Sequence, residues 1–554
     1  MDRLKIWIPI LACAAAAVIV LFPMSVYPTL FHRSPNLPLH LMVLDHLTAY
    51  FQGEVTDLSH VLAADFPSGR PVRIIGWPFQ LAAVPLVPVV GRVVALNVAL
   101  LASLIVSGGL MVRLISRMGM GLQAQLIGGL AWVMNPLLVS FLSNGQYENH
   151  VGWAVPLALL GIMRSGLRGH LMLGLGLLGA AFSSPYQAVP AAVIVVAVLW
   201  MQQRRNTSLL VSTLGVVFGL CYVYYSGPQP APGGECGPTS GAMPLVVAEL
   251  FGFTGALSAE MPMSVDRWTS IRSAFSQPVV WSKDLDLHNL VVSPGSGFVG
   301  WLPLFGGALG LWRARSVLWV RPMVVAGLVC LLLALGGSLE ILRGQPISLP
   351  MPADLLSWLP GLSDMGTTLR FMSGAAFVLV LGLAFLMETL KSHWGWTAAL
   401  LVLIGVDWSF GTVSPVPMAA RSYQLPAGFD ALPETGAVIT VPVREGVSPE
   451  AHLWMGAVLD RPVVGYCDAS IIDYRERFGI IDYAQGGAPP DRATINRDFE
   501  SLNALGIHYI AFMVVQPGQA QFEHASKQLQ YLFGTADAVG DGIIGYRTAR
   551  SAAQ

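Results

Sequence analysis

The sequence predicts a mainly α-helical membrane protein, a transmembrane helical bundle of about eleven spans with a small C-terminal α/β domain outside the membrane. The first observation is composition, because the 554 residues are 54% hydrophobic and 11% charged, whereas soluble domains carry about 25% charged residues. The second is that long apolar runs recur up to residue 412. The third is that alternating, β-rich strings, GAVITVPV and HYIAFMVV, appear only after them, separated by the helical string AHLWMGAVL.

The apolar runs are compared with the roughly 20 residues that a helix needs to cross a bilayer core. Those at 151–163, 171–183 and 186–201 are short, so one of them could be re-entrant. The first run could be a cleaved signal, but LFPMSVYPTLF has no small-residue cleavage site, which favours an uncleaved anchor. The predicted spans are about 6–28, 92–112, 122–142, 151–163, 171–183, 186–201, 208–225, 297–312, 322–338, 371–389 and 394–412.

Basic residues orient these spans. If the N-terminus is cytoplasmic, every short loop on the inner side carries arginine or lysine, as the positive-inside rule requires. The resulting organisation is a transmembrane domain, 1–412, with outer loops 29–91 and 226–296, followed by an outer α/β domain, 413–554. The inner basic residues are Arg3, Lys5, Arg113, Arg117, Arg164, Arg168, Arg204, Arg205, Arg313, Arg315, Arg321 and Lys391.

Several classes of chemistry lack support in the sequence. The net charge of −1 gives no indication of a nucleic-acid partner. There is no glycine-rich phosphate loop, no paired cysteine with zinc spacing and no Gly-x-Ser-x-Gly elbow. A divalent ion is compatible with the scattered acids and histidines but is indicated by no motif, and Cys236 and Cys467 could pair outside the membrane. A transporter is disfavoured because the spans contain almost no charge.

Several characteristic sequence segments occur in a distinctive order along the chain. The first outer loop ends in FPSGRPVRIIGWPFQLAAVPLVPVVG, and the third span continues as GGLAWVMNPLLVSFLSNGQYENHVGWAVPLALL. Later come SPGSGFVGWLPLFGGALGLW and LPGLSDMGTTLRFMSGAAFVLVLGLAFL, and the tail contains TGAVITVPV, DRPVVGY, LNALGIHYIAFM and DGIIGYR. Over most of its length the chain thus resembles polytopic bacterial glycosyltransferases of the GT-C class and the related YfhO-type membrane proteins.

The resemblance implies a transferase in the bacterial inner membrane, with the C-terminal domain in the periplasm. Such an enzyme takes a sugar from a polyprenyl-phosphate carrier, a membrane lipid, and passes it to a glycan, lipid or protein acceptor. The resemblance also implies an acidic base in the first outer loop. The acceptor hydroxyl must lose a proton as it attacks the anomeric carbon, and a carboxylate within hydrogen-bond reach can take it.

Residues 37–53, LPLHLMVLDHLTAYFQG, contain the first candidate base, Asp45. We predict a helix lying on the bilayer that holds Asp45 at the head-group level, with His40 and His46 tuning its charge or contacting phosphate. The alternative is that these three are only the polar face of an interfacial helix. The apolar stripe of this helix is Leu37, Leu41, Leu44, Leu47 and Phe51.

One departure from the family concerns this base. Many relatives carry a Gly-Asp or Asp-Glu pair near the end of the first span, whereas HRSPNLPLH has no acid between Arg33 and His40. The base is either displaced to Asp45 or missing, and a missing base favours a non-catalytic protein that assists polysaccharide assembly or binds a lipid carrier. Asp57 is the next candidate, and for Asp57 and each of the others the alternative is a solvated loop charge. The others are Glu54, Asp65, and Glu148 with His150.

Arg370, in MGTTLRFMSG, is the candidate cation. It matches the Arg-Phe pair that similar proteins show at this span, so the resemblance implies that it holds the carrier phosphate. Its guanidinium offers a fork suited to phosphate oxygens at the outer mouth of a span. The alternatives are an interfacial anchor without a ligand and a pairing with Asp364.

Overall fold

The computed structural model describes part of the chain and divides it into two units. The helical unit comprises Met1–Ser34, Arg73–Gly227 and Ser264–Ala420, and the sheet unit comprises Pro35–Val72, Pro228–Met263 and Arg421–Gln554. The sheet unit thus includes parts of both segments, 29–91 and 226–296, that the sequence assigns to outer loops of the transmembrane domain. The described residues are 6–32, 37–56, 60–61, 70–71, 77–143, 146–147, 152–201, 299–334, 339–342, 345–347, 368–390, 394–411, 420–422, 436–441, 477–484, 488–513, 527, 529–540 and 543–548.

The described elements are mainly helices. Besides α-helices, they include two 3₁₀ turns, Val84–Leu86 and Thr368–Phe371, and a π-helical segment, Leu302–Gly307. The helices are α1 Trp7–Val20, α2 Leu37–Gln52, α3 Trp77–Ala83, α4 Val87–Val90, α5 Arg92–Arg117, α6 Leu122–Val133, α7 Pro136–Ser143, α8 Ala154–Ile162, α9 Leu167–Ser183, α10 Pro185–Met201, α11 Ala308–Arg313, α12 Val320–Ala334, α13 Met372–Thr389, α14 Trp394–Gly411, α15 Gly479–Ala484 and α16 Arg492–Ala504. The strands are β1 Leu30–His32, β2 His60–Val61, β3 Arg70–Pro71, β4 Leu339–Leu342, β5 Gln345–Ile347, β6 Ala420–Ser422, β7 Ala437–Val441, β8 Ile507–Met513, β9 Ala538–Gly540 and β10 Ile543–Arg547.

Three helical stretches among the described residues are long and apolar enough to cross a membrane, namely Arg92–Arg117, Leu122–Leu142 and Met372–Thr389. They coincide with predicted spans, so the structure is that of a mainly helical protein with the features of a helical membrane protein. The full count of about eleven spans stays a prediction, because the other apolar helices are shorter and residues 208–225 lie outside the described part. The shorter helices are Trp7–Val20, Pro78–Val90, Leu167–Ser183, Tyr186–Trp200, Val320–Ala334 and Trp394–Ser409.

Glycines allow helices α8 and α9 to pack with their backbones almost in contact. A Cβ added at Gly176 of α9 would lie 2.7 Å from the carbonyl oxygen of Ala154 and 2.7 Å from the backbone nitrogen of Ala158. Gly179 lies against the ring of Trp153, and Gly161 of α8 lies against Leu173. The two helices therefore run antiparallel, joined by a turn, and small residues let them approach as in membrane helix pairs.

Similar contacts fix the directions of the other helices. Helices α5 and α6, α6 and α13, and α12 and α13 are antiparallel, whereas α10 and α11 both run parallel to α13. These directions agree with the alternation that the predicted spans require. The contacts that set them are Gly108–Val133 and Gly128–Ile115 for the first pair, Gly121–Glu388 and Gly128–Ala384 for the second, Gly327–Val378 and Gly374–Cys330 for the third, Tyr186–Phe371 and Pro190–Gly374 for α10, and Gly307–Leu379 and Gly310–Gly382 for α11.

The helical unit therefore has two distinguishable ends. At one end, which we call the polar end, α10 begins at Pro185, the π-helical segment begins at Leu302 and α13 begins at Met372. At the other, which we call the basic end, α5 ends at Arg117 and α11 ends at Arg313. In the predicted topology the polar end is the outer one.

The sheet unit contains a four-stranded sheet in the order β7-β8-β10-β9. Strands β7 and β8 are parallel, and β10 pairs antiparallel with both β8 and β9. The predictions of strands in GAVITVPV and HYIAFMVV are confirmed by β7 and β8, whereas the predicted helix AHLWMGAVL lies outside the described residues. A buried apolar cluster forms the core, and it includes Phe478, Ile480, Ile495, Phe499, Leu502, Ile507, Ile510, Phe533, Ile544 and Tyr546.

Candidate functional site

The polar end of the helical unit gathers buried polar side chains. Burial of a polar group is costly unless it is hydrogen-bonded, so a concentration of such groups in an apolar bundle points to a site. The remainder of the bundle core consists mainly of Ala, Val, Leu, Ile, Met and Phe. The buried polar residues near this end include Asn97, Asn135, Ser140, Ser183, Ser184, Gln187, Ser373 and Asp407.

Arg370 lies on an aromatic platform at this end. Its guanidinium carbon is 4.8 Å from the centre of the Tyr186 ring, a distance at which a cation is attracted by the ring face. The Tyr186 ring lies 5.5 Å from the ring of Phe371, which is fully buried. The backbone nitrogen of Tyr186 donates to Ser184 Oγ at 3.1 Å at the start of α10. The start of α10 and the 3₁₀ turn that leads into α13 thus hold the arginine in place.

Two polar atoms next to this platform lack a hydrogen-bond partner within the described part of the chain. They are Arg370 Nε, which is buried, and Ser373 Oγ, in a serine that is 4% exposed. Arg370 lies in the 3₁₀ turn that leads into α13 and Ser373 lies in the first turn of α13, so the two donors are three residues apart along a continuous helical stretch. Buried donors of this kind are normally paired, and a guanidinium with a nearby hydroxyl suits the oxygens of a phosphate.

A second polar arrangement holds the chain where it enters the π-helical segment. Asp407 Oδ2, on α14, accepts a hydrogen bond from the backbone nitrogen of Leu302 at 2.6 Å. Asn135 Nδ2, between α6 and α7, donates to the carbonyl oxygen of Val299 at 3.2 Å. A carboxylate at a helix start satisfies free backbone N–H groups and complements the helix dipole. We missed Asp407 in the sequence, although it is the only charged residue of α14.

Helix α2 contains the other candidate site residues that the structure describes. Its predicted existence is confirmed, with bounds Leu37–Gln52. Asp45 and His46 are partly exposed, and His40 is buried. These three residues belong to the sheet unit, whereas Arg370 belongs to the helical unit.

The prediction that the leucine stripe of α2 faces the bilayer is corrected by the structure. Leu37, Leu41, Leu44 and Leu47 are each at most 1% exposed, whereas Phe51 is 62% exposed. The helical period is correct, but the leucines are buried in protein because they recur at the spacing of a core-facing stripe, which does not distinguish a protein core from a bilayer.

The remaining candidates are distributed as follows. Glu54 is exposed just after α2. Asp57, Asp65, Glu148, His150, Asp364, Cys236 and Cys467 lie outside the described residues, so their roles stay predictions. Within the described part of the chain, no group of three or more His, Cys, Asp or Glu residues is arranged to hold a metal ion.

Comparisons with known proteins find similarity to solved structures only at low sequence identity. No family model matches the sequence, and no curated protein matches it. The chain is similar to the apo form of the oligosaccharyltransferase of Archaeoglobus fulgidus, with 13% identity, coverage of 92% of this chain and 69% of that chain, and a TM-score of 0.43. It is also similar to the complex of the same enzyme with Zn and sulfate, with 12% identity, coverage of 91% and 68%, and a TM-score of 0.40.

Proposed function

We propose that this chain is a membrane glycosyltransferase of the GT-C class, which moves a sugar from a polyprenyl-phosphate carrier to a glycan, lipid or protein acceptor outside the bacterial inner membrane. The N-terminus is cytoplasmic and the sheet unit is periplasmic in this proposal. The observation that carries it is Arg370, held on the Tyr186 ring at the polar end with buried donor atoms beside it. The resemblance of the sequence to GT-C and YfhO-type proteins supports the same function.

Arg370 has the chemistry to hold the carrier phosphate. Its fork can donate two parallel hydrogen bonds to phosphate oxygens, and such charge-assisted pairs are shorter and stronger than neutral ones. Ser373 Oγ, one helical turn further, is a third donor. Because a carrier lipid keeps its phosphate at the membrane surface, a cation at the outer mouth of a predicted span is well placed to meet it.

Asp45 is the proposed base. Its partial exposure leaves the carboxylate accessible to an acceptor hydroxyl, and His40 and His46 are on the same helix. Asp57 is the alternative base, and Glu148 with His150 is a second proposed contact to the donor.

The first experiment measures carrier binding. Arg370→Lys should weaken binding of a polyprenyl phosphate markedly, because an ammonium cannot reproduce the bidentate fork. Arg168→Lys is a matched control, since this arginine is exposed at the opposite end of the helical unit. Equal binding by the wild type and Arg370→Ala would reduce Arg370 to an anchor.

The second experiment measures transfer from a polyprenyl-phosphate sugar. Asp45→Asn keeps the shape of the side chain but removes proton acceptance, so the rate should fall by roughly 10²–10⁴ at an unchanged amount in the membrane. Asp57→Asn is the matched substitution in the same loop. Loss of transfer with Asp57→Asn alone would move the base to Asp57, and no change with either would exclude both residues.

A second candidate function is favoured by the absence of an acid between Arg33 and His40. In this alternative the protein binds the lipid carrier and assists polysaccharide assembly without catalysis. Carrier binding that depends on Arg370, together with no transfer of any lipid-linked sugar, would support it.

The orientation is tested with reporters. A reporter fused after Gln554 should be periplasmic, and one fused after Arg205 should be cytoplasmic, because short basic loops stay inside. A cytoplasmic C-terminus would overturn the proposed orientation.

A further inference from the structure

Exposed tryptophans are concentrated at the basic end of the helical unit. Each lies in the first or last turn of a helix that starts or finishes at this end, and each has more than half of its surface exposed. Tryptophan is enriched at membrane interfaces, where its ring sits at the level of the headgroups. These residues are Trp7 at 58%, Trp200 at 78%, Trp312 at 62%, Trp394 at 63% and Trp396 at 56% exposure.

The same end has a large excess of positive charge. In the described part of the helical unit, the only carboxylate at this end is Glu388, and its Oε2 accepts a hydrogen bond from the backbone nitrogen of Gly121 at 2.7 Å. Glu388 therefore already caps the start of α6. The exposed arginines at this end are Arg113, Arg117, Arg164, Arg168, Arg313, Arg315 and Arg321.

The 312–321 turn, which comprises the end of α11, the connection 314–319 and the start of α12, combines both features. The guanidinium carbon of Arg315 lies 5.6 Å from the centre of the Trp312 ring. Leu318 is 65% exposed in the same turn. Backbone hydrogen bonds order the turn, from Val317 N to Ala314 O at 2.8 Å and from Val320 N to Val317 O at 3.0 Å.

We propose that the 312–321 turn is a binding site for the headgroup of an anionic phospholipid. Arg313, Arg315 and Arg321 supply donors and charge for the headgroup phosphate, as basic residues at the membrane surface do for anionic lipids. Trp312 and Leu318 present the apolar surface that reaches the acyl boundary. Charge complementarity selects this occupant, because a zwitterionic lipid would leave the arginine charge uncompensated. The site is independent of the Arg370 platform and of any transferase activity.

The test uses the full-length protein in nanodiscs that contain phosphatidylglycerol and phosphatidylethanolamine, with retained lipid counted by mass spectrometry after delipidation. The wild type should retain phosphatidylglycerol selectively. A variant with Arg313→Gln, Arg315→Gln and Arg321→Gln should lose on the order of 100-fold in apparent affinity, since each basic residue near the surface contributes about fivefold.

The matched control removes three exposed arginines from the sheet unit, Arg477→Gln, Arg492→Gln and Arg497→Gln, and changes net charge equally. It should retain the lipid like the wild type. Equal retention by the 313/315/321 variant and the wild type, or no selectivity in the wild type, would overturn the proposal. If the 313/315/321 variant does not fold, Arg315→Gln alone provides the test, with an expected fivefold loss.

Discussion

The helical unit and the sheet unit bring their elements together by opposite means. In the helical unit, contacts depend on missing side chains, because Gly176 allows α9 to lie directly against the backbone of Ala154 and Ala158. In the sheet unit, contacts depend on large side chains, because rings such as Phe499 and Phe533 fill the core. Adding one methyl group should therefore damage the first unit, whereas removing a side chain should damage the second.

In the proposed topology, in which only the helical unit lies in the membrane, the solvent accounts for the difference. A lipid-facing helix gains little from burying an apolar side chain against another helix, since lipid is equally apolar, so close packing of small residues decides its contacts. A domain in water is stabilised in free energy by each area of apolar surface that folding removes from solvent. The two units should consequently respond independently to substitutions of opposite kinds.

The largest effect is expected for Phe499→Ala. Phe499 is 2% exposed and its ring centre lies 6.1 Å from that of Phe533. Truncating a buried phenylalanine costs about 3–5 kcal/mol of unfolding free energy. Amide exchange in β8 and β10 should accelerate, while exchange in α5 and α13 stays unchanged.

Tyr531→Ala is the matched control in the sheet unit, because Tyr531 is 90% exposed. It should leave exchange in β8 and β10 at the wild-type rate. Faster exchange in the helical unit with Phe499→Ala would mean that the two units unfold together and that the comparison between them does not hold.

The next effect is expected for Gly176→Ala in α9. The added Cβ would lie 2.7 Å from two backbone atoms of α8, so the helices must separate. Overpacking of this kind costs about 1–3 kcal/mol. Gly174→Ala is the control two residues away, because a Cβ there has no atom within 4 Å. Thermal unfolding in detergent should distinguish them, and an equal effect of both variants would contradict the observed α8–α9 contact.

The glycine pair also shows what the sequence alone leaves open. Gly174 and Gly176 occur in LGLGLLGAAF and are indistinguishable by composition or period. Gly176 is essential for packing only because α8 lies against it. The local sequence pattern of α9 does not show which helix will be its neighbour. The apolar runs and alternating strings, by contrast, record the period and length of single elements, so three spans and the strands β7 and β8 could be predicted.

The candidate site was predictable to a similar extent. Arg370 could be found because it stands beside a predicted span, and its chemistry was evident from its type. Tyr186, which holds it, is about 180 residues earlier in the chain, and nothing local links the two. Asp407 could have been found as a lone charge in an apolar run. The prediction that the α2 leucines face the bilayer was wrong, because helical periodicity identifies the apolar face of a helix but not whether that face contacts protein or lipid.

A smaller effect is expected from Asp498, which sharpens the comparison by probing burial in the sheet unit. Asp498 is 4% exposed, and its carboxylate accepts a hydrogen bond from the backbone nitrogen of Ile480 at 3.1 Å. Burial raises the pKa of this carboxyl above its usual 3.8, and the backbone hydrogen bonds oppose the rise. The folded state therefore holds the proton more strongly than the unfolded chain does.

Wild-type stability should consequently fall as pH rises from about 3.8 through the raised pKa, and then become constant. Asp498→Asn cannot titrate and should lack this slope. Calorimetric Tm values of both proteins across pH 4–7 give the comparison. If the Tm of the wild type instead rises relative to that of Asp498→Asn as pH increases, hydrogen bonding outweighs burial in setting the pKa of this carboxyl.

The smallest effect is expected from Asp491, at the start of α16, because its carboxylate is exposed. Its Oδ1 accepts a hydrogen bond from the backbone nitrogen of Thr494 at 2.7 Å, which caps the helix and lowers the pKa of Asp491. Its stabilisation is therefore present above the usual pKa and is lost as pH falls through the lowered value, opposite in sign to Asp498.

Asp491→Ala should accelerate amide exchange at Thr494, whereas Asp491→Asn should retain the cap without the pH dependence. A Tm loss with Asp491→Ala larger than that with Phe499→Ala would mean that helix ends, and not the aromatic core, dominate the stability of the sheet unit.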